Sequence, residues 1–170
     1  MEFKFDSENG IIIDEITGER CLIFPKARLE QIFSRLTKLF QSGAQVIITE
    51  AFKTAAEWYI NELPENVKAD KAEMLKKAVQ RFTEGGIGRI EILQFQDDKA
   101  ILKFRIWNNL FAEMRNDEKT YCILVEAYVG SVYEHLLHKT PKIIKTACID
   151  KGDAYCEWLI TPADSGEKTE

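Results

Sequence analysis

The stretch KIIKTACIDKGDAYCEWLI, residues 142–160, predicts a β-hairpin near the end of this 170-residue sequence. Two apolar runs flank the turn signal Lys151-Gly152-Asp153, so we expect strands at 142–149 and 154–161. Cys148 and Cys156 then lie near facing positions. Three interpretations suit this spacing: a metal site, a redox pair, or two small apolar residues. The redox interpretation has no support from a C-x-x-C motif.

The residues before this hairpin predict a helix and a second hairpin. A helix from about Glu118 to His138 carries Cys122 and other apolar residues at helical spacing, and Pro141 separates it from the last hairpin. Earlier in the chain, RIEILQF and KAILKFRIW flank Asp97-Asp98. In the second of these strands alternate residues share a face, with Phe104 on the main apolar face and Trp107 on the other.

The first half of the chain predicts short strands followed by three helices. Residues 1–25 contain the strands, and helices follow at 27–40, at 44–62 after a break at Ser42-Gly43, and at 69–83. GGIG at 85–88 ends the third helix. The whole order predicts an α+β fold, with helices packed on an antiparallel sheet. We expect one domain over residues 1–161, with a strand segment at 1–25 and a polar tail at 162–170.

Composition narrows the class of protein. The net charge is −5 and no basic cluster exceeds pairs of residues, which argues against nucleic-acid binding. No apolar run approaches the ~20 residues that cross a bilayer. The N-terminal residues have no apolar core of a signal peptide, so we expect a cytoplasmic location. In that compartment the four cysteines are expected as thiols or metal ligands.

Three of the cysteines can converge in the predicted fold. Cys122 lies on the helical stripe that should pack against the sheet, next to the hairpin that carries Cys148 and Cys156. Zinc is held by four ligands in a structural site and prefers thiolate and imidazole. On spacing alone, however, burial as small apolar side chains is the stronger interpretation.

A wider pattern resembles the 4-vinyl reductase domain family, whose members are described as hydrocarbon-binding proteins. The resemblance runs from GAQVIITEAFKTAAEW through MLKKAVQRFTEGGIGRIEILQF to GSVYEHLLHKTPKIIKTACIDKGDAYCEWLI, and covers most of residues 20–161. Its most specific part is a helical cysteine followed by two cysteines around a Gly-Asp turn. The implied fold is shared with TRAPP vesicle-tethering subunits and with phenol-sensing domains of bacterial transcription activators.

The resemblance implies a zinc site at Cys122, Cys148 and Cys156. The phenol-sensing domains add a glutamate three residues before the first hairpin cysteine, where this chain has Lys145. An ammonium has no lone pair for a metal. Glu126, one helical turn after Cys122 on the same face, is the best substitute as fourth ligand. Weaker candidates are His138, Asp153 and Cys21, and water is a further alternative.

The resemblance also implies a pocket for a small apolar or aromatic molecule between the helices and the sheet. Aromatic walls with a few polar groups suit such a ligand. For any single residue, filling the core is the stronger interpretation. The sensor's anchoring histidine has no counterpart here, which weakens specificity for phenol. The candidate lining residues are Trp58, Tyr59, Phe104, Trp107, Phe111 and Tyr121.

Our first hypothesis is therefore a small hydrophobic-ligand-binding, sensory domain with a structural zinc, a homodimer by analogy. The sequence contains no DNA-binding or ATPase segment, so a sensor would need a separate output partner. The alternatives are a reductase or accessory factor acting on a tetrapyrrole vinyl group, and an assembly subunit resembling TRAPP. Binding is favoured over enzyme activity, because GGIG lies after a helix and before a strand, the wrong context for a dinucleotide fingerprint.

Overall fold

The computed structural model describes residues 3–15, 18–116 and 119–163 of the chain, with the backbone alone at 115–116 and 119–120. Three N-terminal strands come first, then helices and a central sheet. The elements are β1 (Phe3–Asp6), β2 (Ile11–Asp14), β3 (Arg20–Cys21), α1 (Lys26–Phe40), α2 (Ser42–Glu62), α3 (Glu65–Lys68), α4 (Lys71–Glu84), β4 (Arg89–Gln96), β5 (Ile101–Trp107), α5 (Leu110–Glu113), β6 (Arg115–Asn116), β7 (Lys119–Thr120), α6 (Ile123–Leu137), β8 (Pro141–Ala147) and β9 (Cys156–Pro162).

The central sheet is antiparallel, with strand order β4-β5-β9-β8, and the predicted α+β class is confirmed. Alternation along β5 explains how the helices cover it. Leu102, Phe104 and Ile106 are at most 1% exposed, while the residues between them are only half-buried. The helix-facing side therefore holds the core, as the alternating pattern predicted.

Helix α6 packs closely on this sheet and on α2. Most of its residues are buried, including Tyr133 and Leu136. A Cβ at Gly130 would lie 3.1 Å from Cδ1 of Ile143 in β8, so the glycine permits a close approach of α6 to the sheet. This packing brings the N-terminus of α6 beside the end of β8.

Several predicted boundaries differ from the structure. The predicted helix 118–138 begins at Ile123, with Cys122 as its N-cap, and residues 117–118 lie outside the described part of the chain. The break between α1 and α2 is at Gln41, whose φ of 51° ends α1, rather than at Ser42-Gly43. The short elements α3, α5, β6 and β7 were not predicted, because two to four residues carry too little periodicity.

The last hairpin also differs in its turn. Strand β8 ends at Ala147, and a 3-10 turn over Ile149–Lys151 precedes β9. Cys148 and Cys156 are therefore not facing residues of the ladder: Ala147 pairs with Glu157, and Cys156 pairs with Ile106 of β5.

None of the described helices combines the length and the apolar character needed to cross a bilayer.

Candidate metal centre

Three buried thiols from three elements meet at one end of the sheet. Cys122 caps α6, Cys148 follows β8, and Cys156 begins β9. The Sγ atom of Cys148 lies 3.9 Å from that of Cys122 and 3.7 Å from that of Cys156. All three sulphurs lie within 4.8 Å of one another, and no residue is more than 4% exposed. We call these three residues the cysteine cluster.

Two N–H groups point at the cluster. The backbone N–H of Ile149 donates to Sγ of Cys156 at 3.4 Å, and Nδ2 of Asn109 donates to Sγ of Cys122 at 3.7 Å. Asn109 is fully buried, and its Oδ1 accepts from the N–H of Phe111 at 3.0 Å. Such donors favour sulphur in the thiolate state. Sequence reasoning missed Asn109 as a neighbour of the cluster, because the short helix that it caps was not predicted.

The loop between the two hairpin cysteines is held by Asp153. Its Oδ2 accepts from the backbone N–H of Cys148 at 2.7 Å. Gly152 has a φ of 95° at the end of the 3-10 turn, a conformation that glycine adopts without steric cost. The Gly-Asp pair therefore folds the loop so that Cys148 and Cys156 face the same point.

Hydrogen bonding and burial act differently on two of the thiols. The hydrogen bond with Cys122 has the largest effect on the pKa of Cys156. Together with the other hydrogen bonds it outweighs burial and lowers this pKa to about 6. Burial raises the pKa of Cys148. The lowered pKa favours the thiolate form of Cys156, which is the form that binds metals.

The spacing of the cluster fits a tetrahedral thiolate site. With Zn–S bonds of about 2.3 Å, tetrahedral angles place two sulphur ligands about 3.8 Å apart. The two measured separations of 3.7 and 3.9 Å bracket that distance. Two of the three separations therefore match a tetrahedral thiolate site, and the third is at most 4.8 Å.

The fourth ligand suggested from sequence, Glu126, lies beside the cluster in another role. Its Oε1 accepts from Nε1 of Trp158 at 2.9 Å and from Nζ of Lys145 at 3.0 Å. The Lys145 ammonium also lies 5.5 Å from the centre of the Trp158 ring. Burial lowers the pKa of Lys145, but the hydrogen bond to Glu126 and nearby negative groups give a net increase. Within the described residues, the group with metal-ligand spacing contains the three cysteines and no carboxylate.

The weaker candidates for a fourth ligand also lie outside that group. His138 ends α6 at the opposite terminus from Cys122, about 24 Å away along the helix. Cys21 belongs to the N-terminal sheet, where it pairs with Ile12. The carboxylate of Asp153 binds the backbone of Cys148, as described above.

The six candidate pocket residues divide between the core and the surface. Phe104 stacks on Trp158, with ring centres 5.2 Å apart. Phe111 and Tyr121 are connected by a backbone hydrogen bond of 3.0 Å, and the Tyr121 ring contacts Phe33. These residues lie on the helix side of the sheet.

The remaining three candidates have other surroundings. Tyr59 is buried beneath the guanidinium of Arg81, 5.7 Å from its ring centre. Trp58 is 41% exposed. Trp107 lies on the opposite face of β5 from Phe104, where it contacts Tyr155. Trp107 and Phe104 therefore cannot line the same interior pocket.

Two buried hydroxyl groups lie on the helix side without a hydrogen-bond partner in the described protein. They belong to Tyr121, next to the cysteine cluster, and to Thr49 of α2. A buried hydroxyl without a partner costs free energy, of the order of 1–3 kcal/mol. Such groups are natural contacts for a polar atom of a bound small molecule.

Neither the protein-family models nor the curated proteins that we compared with this sequence gave a match. The comparison with solved structures did give matches. The phenol-responsive sensory domain of the transcription activator PoxR, solved with phenol, has a TM-score of 0.73 at 16% identity, covering 95% of this chain and 85% of that one.

Two further structures share the fold at lower similarity. A vinyl-4-reductase family protein from Methanocaldococcus jannaschii has a TM-score of 0.53 at 14% identity, covering 85% of each chain. A trafficking protein particle complex subunit 3 from Naegleria fowleri, covalently bound to palmitic acid, has a TM-score of 0.54 at 11% identity, covering 82% of this chain and 95% of that one. The chain thus has the fold of the phenol-responsive sensory domain, the vinyl-4-reductase family protein and the trafficking subunit.

Proposed function

We propose that this chain is a small-ligand-binding domain of the sensory type, with a zinc ion held by Cys122, Cys148 and Cys156. The observation that carries the proposal is the cysteine cluster, in which buried thiols from three elements lie at thiolate-site spacing. Zinc bound there would fasten the start of α6 to the end of β8 and the start of β9. The donors from Asn109 and Ile149 would stabilise the thiolates.

Metal analysis of the purified protein tests the zinc. We expect about one zinc per chain. Cys148→Ser should lose the metal, while Cys21→Ser should keep it, because Cys21 lies in the N-terminal sheet outside the cluster. A wild-type protein that contains no metal, and whose unfolding temperature is the same with and without added zinc, would remove this part of the proposal.

The ligand that we propose is a small apolar or aromatic molecule, bound on the helix side of the sheet near Phe104, Phe111 and Tyr121. The aromatic walls and the buried hydroxyl of Tyr121 support this class. The likeness to a phenol-responsive domain agrees with it. Native mass spectrometry followed by solvent extraction would identify a co-purifying molecule, with phenol titrated as a defined probe. A chain that carries nothing and binds no aromatic probe would contradict the proposal.

Exposed apolar side chains on α1, on α2 and in the loop before α1 support a partner, which we propose is a second copy of the chain. The exposed large apolar side chains concentrate in the loop before α1 and along α1 and α2, with Leu22 and Ile23 each 82% exposed. Single exposed apolar residues are ordinary, but a concentration of them marks an interface. The members are Leu22, Ile23, Phe24, Ile32, Leu39, Phe40, Val46, Ile47 and Trp58, which we call the α1–α2 surface.

The same surface favours assembly as a second candidate function, because a TRAPP-like subunit would also present it. Sedimentation analysis of the isolated chain distinguishes a homodimer from an assembly with a different protein. A concentration-dependent dimer supports the homodimer. A monomer would instead favour a different protein on this surface, either an assembly subunit or a separate output partner.

A further inference from the structure

We infer that the metal centre is open: no residue that the structure describes supplies a fourth ligand, and a small ligand from solvent takes that position, with Lys145 and Glu126 paired beside the cluster. This inference rests on the proposed zinc site. It differs from a closed structural site, in which the protein supplies all four ligands.

The contacts of the neighbouring oxygen atoms point to this arrangement. Oε1 of Glu126 is shared by Trp158 and Lys145, at 2.9 and 3.0 Å. Oδ2 of Asp153 accepts from the backbone of Cys148, and Oδ1 of Asn109 accepts from Phe111. Each of these side chains already has a positioning role. In the part of the chain that the structure describes, neither the Glu126 nor the Asp153 carboxylate joins the three sulphurs at metal-ligand spacing.

Lys145 helps to hold the Glu126 carboxylate against the Trp158 N–H. The ammonium and the indole N–H are two donors that hold one carboxylate oxygen, and Trp158 is fully buried. Turning Oε1 of Glu126 onto a metal would break both contacts and leave the Trp158 N–H without its acceptor, at a cost of about 1–3 kcal/mol. The charge of Lys145 also offsets part of the negative charge that three thiolates bring to the site.

The surroundings of the cysteine cluster restrict which ligands can reach a bound metal. The three cysteines are nearly inaccessible, whereas the side chains of Lys145 and Glu126 are 29% and 26% exposed. Lys145 and Glu126 are therefore more accessible than the cluster itself. A ligand that reaches a metal among the buried thiols must be small, such as water or a small anion.

Cobalt substitution tests the inference directly, because the absorption bands of Co²⁺ report its coordination number and ligands. We expect azide to change the spectrum of the cobalt-loaded wild type in a saturable way. Lys145→Glu places a carboxylate beside the cluster and should close the site. Its spectrum should differ from that of the wild type and should not change when azide is added, and its metal affinity should rise.

Two matched variants complete the experiment. Lys142→Glu makes the same charge change on β8 at an exposed position, and should respond to azide like the wild type. Lys145→Gln removes the ammonium without adding a carboxylate, and should also keep the response. A wild-type spectrum that azide leaves unchanged would overturn the inference, whatever the variants do. Failure of the wild type to bind Co²⁺ or Zn²⁺ at all would overturn the proposed zinc site itself.

Discussion

Lys145 of β8 and Glu126 of α6 form a 3.0 Å ion pair beside three buried cysteines. Sequence resemblance implies a glutamate ligand at the position of Lys145, and Glu126 was the substitute that the helical spacing suggested. The structure places these two residues in contact with each other, with Trp158 as a second donor to Glu126. Lys145 and Glu126, the two residues considered for the fourth ligand, are therefore partners in one ion pair. A substitution of either one removes the partner of the other.

Thiol reactivity should distinguish the cluster from the fourth cysteine. In the zinc-loaded protein, we expect a chromogenic thiol reagent to modify Cys21 quickly and the cluster slowly, since the cluster is buried and would be metal-bound. Removing zinc with a chelator should raise the rate at the cluster. Cys21→Ser is the control, and should abolish the fast phase. Equal rates at all four thiols before and after chelation would contradict a metal-protected cluster.

Glu157 should make stability depend on pH in the acid range. Although burial raises its pKa, hydrogen bonds from Arg105, Lys103 and Thr146 lower the pKa to about 2. The folded protein therefore binds the proton less well than the unfolded chain, and the stabilisation present above pH 4.5 is lost as the pH falls towards 2. Glu157→Gln should destabilise the protein at pH 7 by about 1–3 kcal/mol.

Urea unfolding at several pH values measures this effect. The curves of wild type and Glu157→Gln should converge as the pH approaches 2, because protonated glutamic acid resembles glutamine. Glu65→Gln is a suitable control, since its side chain is 90% exposed and its pair with Lys68 should contribute less than about 1 kcal/mol. A constant difference between wild type and Glu157→Gln at every pH would show that Glu157 acts by packing alone.

Two tyrosines should respond oppositely to loss of the hydroxyl. The Tyr133 hydroxyl donates to the backbone oxygen of Ala100 at 2.7 Å, whereas the Tyr121 hydroxyl is buried without a protein partner in the described residues. Tyr133→Phe should lower the free energy of unfolding by about 1–2 kcal/mol, and Tyr121→Phe should leave it unchanged or raise it. If Tyr121 contacts the proposed ligand, Tyr121→Phe should weaken binding of an aromatic probe. Equal losses of stability in both variants would refute the difference in hydrogen bonding.

The α1–α2 surface should control self-association. Val46→Asp and Ile47→Asp place charges on residues that are 63% and 52% exposed, so the monomer should fold normally while the proposed dimer weakens at least about tenfold. Leu93→Asp is the control, because Leu93 is an exposed apolar residue of β4, outside this surface. Sedimentation velocity at several concentrations measures the dissociation. Unchanged association in both α1–α2 variants would place the interface elsewhere.

The sequence by itself determined the fold class, most helices and strands, and the three cysteines as candidates for one site. These features depend on local periodicity, and the alternation in β5 and the long helical stripes are strong signals. Resemblance added the fold relationship, which the solved structures support at 11–16% identity.

Only the tertiary structure decided how the cluster is surrounded. That Asn109 points at Cys122, that Glu126 binds Trp158 and Lys145, and that Trp107 lies on the far face from Phe104 depend on contacts between residues distant in sequence. The cysteines themselves meet through α6 packing and a 3-10 turn, not through facing positions in a hairpin. Spacing along the chain shows which residues share a face of one element, but packing between elements sets the distances that a ligand or a metal would experience.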